Sequence, residues 1–340
     1  MIRYGGLMNM RSAVSCMRRK FMSSYIIRKF LMLIPMLLVI SFLIYLGMEL
    51  MPGDAVDFLI PPDALATMSQ EQLHAMREAL GLNDPFFLRY LKWLWGMLHG
   101  DFGYSVQSGV PVLTLMKNHL PATIELTVTA LVMSSVFGII LGVVCALKKG
   151  TAADQILSMI GMIGVAIPQF LLGLICINGF SLHLNILPVG GRMAYAGQTF
   201  LERLPYLVMP AVVLGFSLTA GVMRYGRSSM LDSMGKDYMK TARSKGIPEW
   251  RVNFLHGLRT AMTPVVVLIG FRLPMLIGGA VVVEEIFQWP GIGGLFVAAV
   301  RSQNTPLVMI IGFFSVLLVL LASIIVDIIT ALLDPRIKLS

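Results

Sequence analysis

Few residues of this chain combine a reactive type with a telling setting, and those that do sit at or inside long apolar runs. Arg272 is the foremost of them. A charge at mid-membrane costs at least ~2.5–3.5 kcal/mol on insertion scales, so such a residue faces protein or water and has a partner. Arg272 lies nine residues beyond Thr263, roughly 13 Å into its run at 1.5 Å per residue. Asp327, seven residues before Asp334 on the last run, lies roughly 10 Å from the same side. The matched depths predict an Arg272–Asp327 ion pair. The alternative is that Arg272 faces a solute pathway and attracts a carboxylate. Pro168 frees a backbone carbonyl that Gln169 can bond, unless Gln169 faces a cavity. Ser217 and Thr219 are weaker pathway candidates, because hydroxyls in membrane helices most often bond their own backbone. Glu125, Glu284 and Glu285 fall near the outer ends of runs, where they can hold a metal or an amino group, or simply be solvated.

Other chemistry is excluded by spacing. A phosphate-cradling loop needs Gly, four residues, then Gly-Lys-Ser/Thr. At Gly235-Lys236 the first Gly is replaced by Met230 and the hydroxyl residue by Asp237. There is no His-Glu-x-x-His pair and no Gly-x-Ser-x-Gly elbow, and His74, His99, His119, His183 and His256 are scattered without ligand spacing. An intramembrane enzyme would need a nucleophile–base or metal constellation at one depth, and none is visible.

The elements that must position these residues are membrane helices. The chain has 340 residues, is 56% apolar and 13% charged, and has a mean hydropathy of +0.79, values too apolar for a soluble domain. Six runs reach the length that crosses ~30 Å of hydrocarbon: Phe30–Met51, Thr123–Leu147, Gln155–Leu182, Leu207–Met223, Thr263–Val283 and Leu307–Leu333. The basic stretch before Phe30 lacks a small-residue cleavage site after its run, so the first run is expected to remain as an anchor. With both termini cytoplasmic, nineteen Lys and Arg fall inside and seven outside, which favours that orientation. The net charge of +9 then reflects topology, and nucleic acid is not expected as a partner. Cys145 and Cys176 fall in runs and Cys16 before the first, so no disulfide framework is implied.

Three stretches between runs carry pattern. In residues 52–122, Ser69 and Gln72 form a capping pair before a helix ended by Gly81, and Asn83-Asp84-Pro85 opens a second helix ended by Gly100. With Trp93 and Trp95 these are expected to lie on the outer membrane surface, as interfacial anchors or as a docking face. Residues Glu284-Glu285-Ile286-Phe287-Gln288-Trp289-Pro290-Gly291 and the glycines beyond forbid a continuous helix and read as a re-entrant or lid-like turn. Between the fourth and fifth runs, Lys236 to Gly246 reads as one short helix, stopped by Gly246 and by Pro248 just beyond. Tyr238, Met239 and Ala242 share a face, and Lys236, Lys240 and Arg243 spread over the others. That helix suits docking onto a soluble protein, with Tyr238 as anchor; lying on anionic lipid is the alternative.

Taken in order, these residues make the chain resemble the inner-membrane permease subunits of binding-protein-dependent ABC importers, in the dipeptide/oligopeptide/nickel group, and most nearly the first of their two permeases. The resemblance is carried by Met51-Pro52-Gly53-Asp54, Leu80-Gly81-Leu82-Asn83-Asp84-Pro85, Gly100-Asp101-Phe102-Gly103-Tyr104-Ser105, Leu120-Pro121-Ala122-Thr123, Leu187-Pro188-Val189-Gly190-Gly191 and the stretch from Arg227 to Pro264. Lys240 and Thr241 stand where the general permease loop has Glu and Ala.

The resemblance implies an all-α integral membrane protein of the type I ABC importer permease architecture, with six transmembrane helices, cytoplasmic termini and a cytoplasmic coupling helix. The expected layout is a basic segment 1–29, a first span 30–51, an extracytoplasmic helical segment 52–122, a five-helix core 123–333 with the coupling helix at about 236–246, and a tail 334–340. The coupling residues would be Asp237, Tyr238, Met239, Lys240, Thr241, Ala242, Arg243, Gly246 and Pro248, and the lid Glu284, Glu285, Phe287, Trp289, Pro290 and Gly291. The implied partners are a second related permease, two cytoplasmic ATPases that bind ATP and Mg, an external solute-binding protein, and membrane lipid. The chain itself would be non-catalytic, bind no cofactor or metal, and sit as a multi-pass protein in a prokaryotic inner membrane. Short peptides are the expected cargo; related permeases pass nickel chelates, glutathione or oligosaccharides. A self-sufficient secondary transporter should show internal repeats, and none is visible.

Overall fold

The computed structural model describes residues 3–50, 56, 60, 67–79, 81–193, 197 and 199–333. The Met51–Asp54 motif, most of the stretch between residues 51 and 66, and the 334–340 tail lie outside the described residues. Among the described residues the regular structure is helical, with one isolated bridge between Tyr104 and Pro111. In chain order the helices are α1 (Arg3–Glu49), α2 (Gln70–Ala79), α3 (Phe86–Leu98), α4 (Val112–Leu147), α5 (Ala152–Ala166) and α6 (Gln169–Cys176), which continues as a π-helical turn, Ile177–His183. They are followed by α7 (Phe200–Met234) and α8 (Asp237–Ser244). A short turn, Glu249–Arg251, and a π-helical segment, Val252–Leu258, then lead into α9 (Arg259–Ile286), α10 (Ile292–Arg301) and α11 (Thr305–Leu333).

Among the described residues five helices are long and apolar enough to cross a membrane, or six if the bent pair α5–α6 counts as one. The expected third span is that bent pair, whose halves meet at 107°. Pro168 supplies the reason: it has no N–H to donate and pushes Ile167 into extended backbone, φ −73° and ψ 125°. Gln169 therefore opens a new helix instead of sitting inside one.

The core is built around α7. Two-thirds (67%) of its most apolar window is buried, against 11% for α1, so α7 is the central post and α1 a peripheral one. At 35 residues α7 is about 52 Å long, more than a bilayer's hydrocarbon, and it continues eleven residues past the predicted span end at Met223. Small residues let α4 press against it. A Cβ on Gly142 would stand 2.7 Å from the Met223 carbonyl oxygen and one on Gly138 2.6 Å from the Val222 Cβ, so these two glycines, one turn apart, set the α4–α7 distance. Leu126, Leu207, Leu214, Leu276, Phe287 and Trp289 fill the space among α4, α7 and the far end of α9.

Ion pairs between helices help hold this packing. Arg227 of α7 donates to both carboxylate oxygens of Asp154 on α5, at 2.7 and 2.8 Å. Lys29 of α1 donates to Asp327 of α11 at 2.8 Å. The expected Arg272–Asp327 pair is thus not formed: Asp327 is met by Lys29, which equal depth on neighbouring runs could not reveal. Arg272 instead lies against α7, its Nη2 2.9 Å from where a Cβ on Gly221 would be.

The helices α2 and α3 form as the sequence predicts. Ser69 and Gln72 exchange hydrogen bonds at 2.9 and 3.2 Å, and Gly81 ends α2 at φ +68°. Pro85 precedes α3 and Gly100, at φ +85°, follows it. One side of α3 packs on α1 through Phe86 and Tyr90 against Phe42 and Tyr45, while Leu91 and Trp95 remain exposed.

Candidate functional site

The two ends of the α9 rod carry the candidate sites. At its start, α8 is an eight-residue helix with Lys236 as N-cap and Gly246 at φ +73° as the residue past its C-cap. Gly246 N–H donates to Arg243 O at 2.9 Å and Ile247 N–H to Ala242 O at 3.4 Å, the paired bonds of a Schellman stop. Arg243 also reaches Glu249 at 2.9 Å, bracing the turn in front of exposed Pro248.

The face of α8 differs from the expected one in an instructive way. Met239 and Ala242, predicted to face a partner, are buried in this chain against Val252, Met234 and Ile247. An apolar stripe on a short helix serves its own fold first when a neighbouring segment lies within reach. Tyr238 is 40% exposed, and its hydroxyl is 2.6 Å from Ser233 Oγ. Ser233 donates its one proton to Gly257 O at 2.9 Å, so Tyr238 must be the donor of the other bond. This relay ties α7, α8 and the π-helical segment into one unit. The face left outward is polar: Lys236, Asp237, Lys240, Thr241, Arg243 and Ser244. Asp237 and Lys240 pair at 3.0 Å, an exposed pair worth little.

At the other end, the lid turn is a buried knot. Phe287 and Trp289 are buried, and Pro290 stays at the surface. Glu284, 1% exposed, accepts from the Thr123 hydroxyl at 2.6 Å and from Gly294 N–H at 3.0 Å. Thr123 Oγ1 accepts from Ile292 N–H at 2.8 Å, and Trp289 Nε1 donates to Ala122 O at 2.8 Å. Glu284 is therefore not a solvated residue at a mouth. It holds the first turn of α10, where N–H groups have no helical partner. A Cβ on Gly291 would fall 2.2 Å from the Glu284 carboxyl carbon, so the turn closes over the carboxylate only with glycine there.

Three motifs far apart in sequence meet in this knot. Leu120–Thr123 and Glu284–Gly294 are joined as described, and Leu187–Gly191 is joined by Gly191 N–H donating to Phe287 O at 2.7 Å. Beside it, Asn304 donates to Ser105 Oγ at 2.7 Å, fastening Gly100–Ser105 to the α10–α11 turn. Spacing alone could not have paired Thr123 with Glu284 or Ser105 with Asn304. Glu125 and Glu285 also have protein partners: Glu125 takes Arg192 at 2.8 Å with Arg203 at 3.7 Å, and Glu285 takes Arg301 at 2.8 Å.

The remaining pathway candidates lie on three helices, α6, α7 and α9. Thr219 bonds its own helix at Gly215 O, 2.8 Å, and Ser217 is half-buried on the same helix. Gln169 is half-buried at the start of α6. Arg272 shares a cavity of about 260 Å³ with Arg224 and Ser228; Ser228 belongs to the stretch that carries the resemblance, but neither residue is among the pathway candidates expected from the sequence. Among the described residues no group of three His, Cys, Asp or Glu could hold a metal ion.

Comparison with known proteins accords with this architecture. Residues 138–339 match the family described as the binding-protein-dependent transport system inner membrane component, and residues 22–127 match the N-terminal part described for such membrane components. The chain is 41% identical over 319 residues to the oligopeptide transport system permease protein AppB of Bacillus subtilis, covering 93% of this chain and 100% of that one. It is 32% identical to the dipeptide transport system permease protein DppB and 32% identical to the glutathione transport system permease protein GsiC, both of Escherichia coli K12, each match covering 93% of this chain and 99% of the relative. A multi-pass helical chain with this knot and this short exposed helix, matched over nearly its full length, belongs to the inner-membrane component family of binding-protein-dependent transport systems.

Proposed function

We propose that this chain is one permease subunit of a peptide-importing ABC transporter, forming half of the translocation pathway. Relatives named for oligopeptides, dipeptides and glutathione, itself a tripeptide, support short peptides as cargo.

The observation that carries the mechanism is the way α8 is held. A helix of eight residues has too few hydrogen bonds to persist alone. Here Met239, Ala242 and the Tyr238–Ser233–Gly257 relay hold it while its polar face stays open. In this reading α8 is the coupling helix: it lies on the cytoplasmic side, seated on an ATPase subunit, and delivers the motion of ATP-driven closure to α7 and α9. The Lys and Arg asymmetry of the sequence supports that orientation. Energy enters through two separate ATPases, since the chain has no phosphate-cradling loop. A second permease completes the pathway, and an external binding protein delivers the peptide.

Reconstitution tests this reading. Proteoliposomes holding the chain with its companion permease, two ATPases and binding protein should accumulate di- or oligopeptide only with ATP. Uptake by the chain alone, or uptake driven by an ion gradient without ATP, overturns it.

A further inference from the structure

Arg224 and Ser228 stand one turn apart on α7 and line two cavities at once. On one side is a cavity of about 380 Å³ toward α5, which also includes Arg227. That guanidinium is already closed by Asp154 through two hydrogen bonds, so it serves the helix pair. On the other side is the cavity of about 260 Å³ toward α9, lined by Gly221, Arg224, Tyr225, Ser228, Leu268 and Arg272. Among the described residues no Asp or Glu lines it, and two guanidinium groups do.

We infer that this second cavity is an anion subsite of the translocation pathway, taking the terminal carboxylate of a peptide between Arg224 and Arg272. The inference rests on the permease reading and names the group that the pathway recognises. Three observations bear on it. Gly221 has no side chain, and the Arg272 Nη2 occupies the space a Cβ would contest at 2.9 Å, so the α7 backbone is shaped to admit that guanidinium. Arg224 and Tyr225 are exposed on the same stretch of α7, and Ser228 adds a hydroxyl one turn on. The volume of about 260 Å³ admits the carboxyl end of a peptide.

The chemistry follows from the groups. A guanidinium offers five N–H donors in a planar fork that matches the two oxygens of a carboxylate, and a bond made within the chain leaves others for a ligand. A free carboxyl end is common to linear peptides whatever their side chains. A site that reads it selects peptides as a class and leaves the choice among them to the binding protein.

The test compares a dipeptide with its C-terminal carboxamide in the full reconstituted importer, for wild type, Arg224→Gln, Arg272→Gln and the two Lys variants. ATP-dependent uptake by wild type checks the permease reading before any variant is scored, so failure of that reading shows separately. The binding protein is the same throughout, so a change in the acid-to-amide ratio of kcat/KM arises in the permease. Each Gln variant should lower that ratio about tenfold, what one hydrogen bond to a charged group contributes, and each Lys variant should recover part of it. Where the binding protein does not carry the carboxamide, the readout is uptake of the free acid at equal abundance, retained by Lys and lost by Gln. Arg224, being exposed, carries the test if Arg272→Gln fails to accumulate. Equal losses for acid and amide, equal losses in Lys and Gln, or no loss in any variant overturn the inference; equal losses would assign the arginines to lipid phosphate or to a neighbouring subunit.

Discussion

Thr123 and Glu284, 161 residues apart in the chain, are joined by a 2.6 Å hydrogen bond in which the hydroxyl donates to the carboxylate. The same oxygen of Thr123 receives the Ile292 N–H, so one side chain serves α4, α9 and α10 together.

Thr123→Val removes both functions and keeps the shape. Each buried polar group left unsatisfied costs about 1–3 kcal/mol, and more for a charged one. The purified protein should unfold at a clearly lower temperature, and Thr123→Ser should restore most of the loss. Unchanged thermal stability of Thr123→Val would show that the knot is held elsewhere.

Two glycines near the knot should respond differently. Gly291→Ala places a methyl group 2.2 Å from the Glu284 carboxyl carbon, whereas at Gly294 the nearest atom is 3.6 Å away. Overpacking of this kind costs about 1–3 kcal/mol, so Gly291→Ala should lower folded abundance in the membrane and Gly294→Ala should not. Detergent-resistant folded protein, measured by size-exclusion chromatography, reads the difference.

The Lys29–Asp327 pair predicts a coupling that Arg272 does not share. In double-mutant cycles, Lys29→Gln with Asp327→Asn should show an interaction energy of about 0.5 kcal/mol or more, while Arg272→Gln with Asp327→Asn should add within about 0.5 kcal/mol. Thermal unfolding in lipid nanodiscs supplies the measurement. Additivity of Lys29 with Asp327 would contradict the pairing.

On α8, the outward and inward faces should separate two phenotypes. Lys240→Glu or Thr241→Asp changes exposed side chains. Protein should insert normally, and ATP-driven uptake should fall at least about tenfold, the loss expected when a contact of ~1.4 kcal/mol is removed. Ala242→Glu instead buries a charge among Met239, Val252 and Ile247 and should loosen the helix itself. Limited proteolysis at the α8 loop would detect that loosening. Equal proteolytic sensitivity in Ala242→Glu and Lys240→Glu would refute the two-face arrangement.

The parts of the molecule that the chain spelled out are those written in local chemistry. Ser69, Gly81, Gly100 and Gly246 mark helix ends through capping bonds and positive φ, signals that need only a few neighbouring residues. Apolar runs located the membrane helices, but a hydropathy count is blind to Pro168 bending the third of them and to α7 continuing past Met223. The pairings that define the candidate sites were less legible. Asp327 could be given a depth but not a direction around its helix, so depth alone pointed to Arg272, whereas Lys29 is the partner. Ala242 was read correctly as belonging to an apolar stripe and wrongly as facing outward, because a stripe says nothing about which neighbour covers it.

The π-helical segment Val252–Leu258 runs without interruption into α9, whose last turn carries Glu284. The α9 helix is thus a continuous rod about 42 Å long, with the α8 clasp at one tip and the buried knot at the other. Between Val252 and Glu284 there is no loop in which a displacement entering that rod could dissipate. Its slack is confined to the wide π turns and to the backbone at Pro264 and Pro274, where a ladder bond is missing. If α8 couples to a partner as proposed, those few residues set the reach of its motion, and stiffening any of them should alter how far the opposite tip travels.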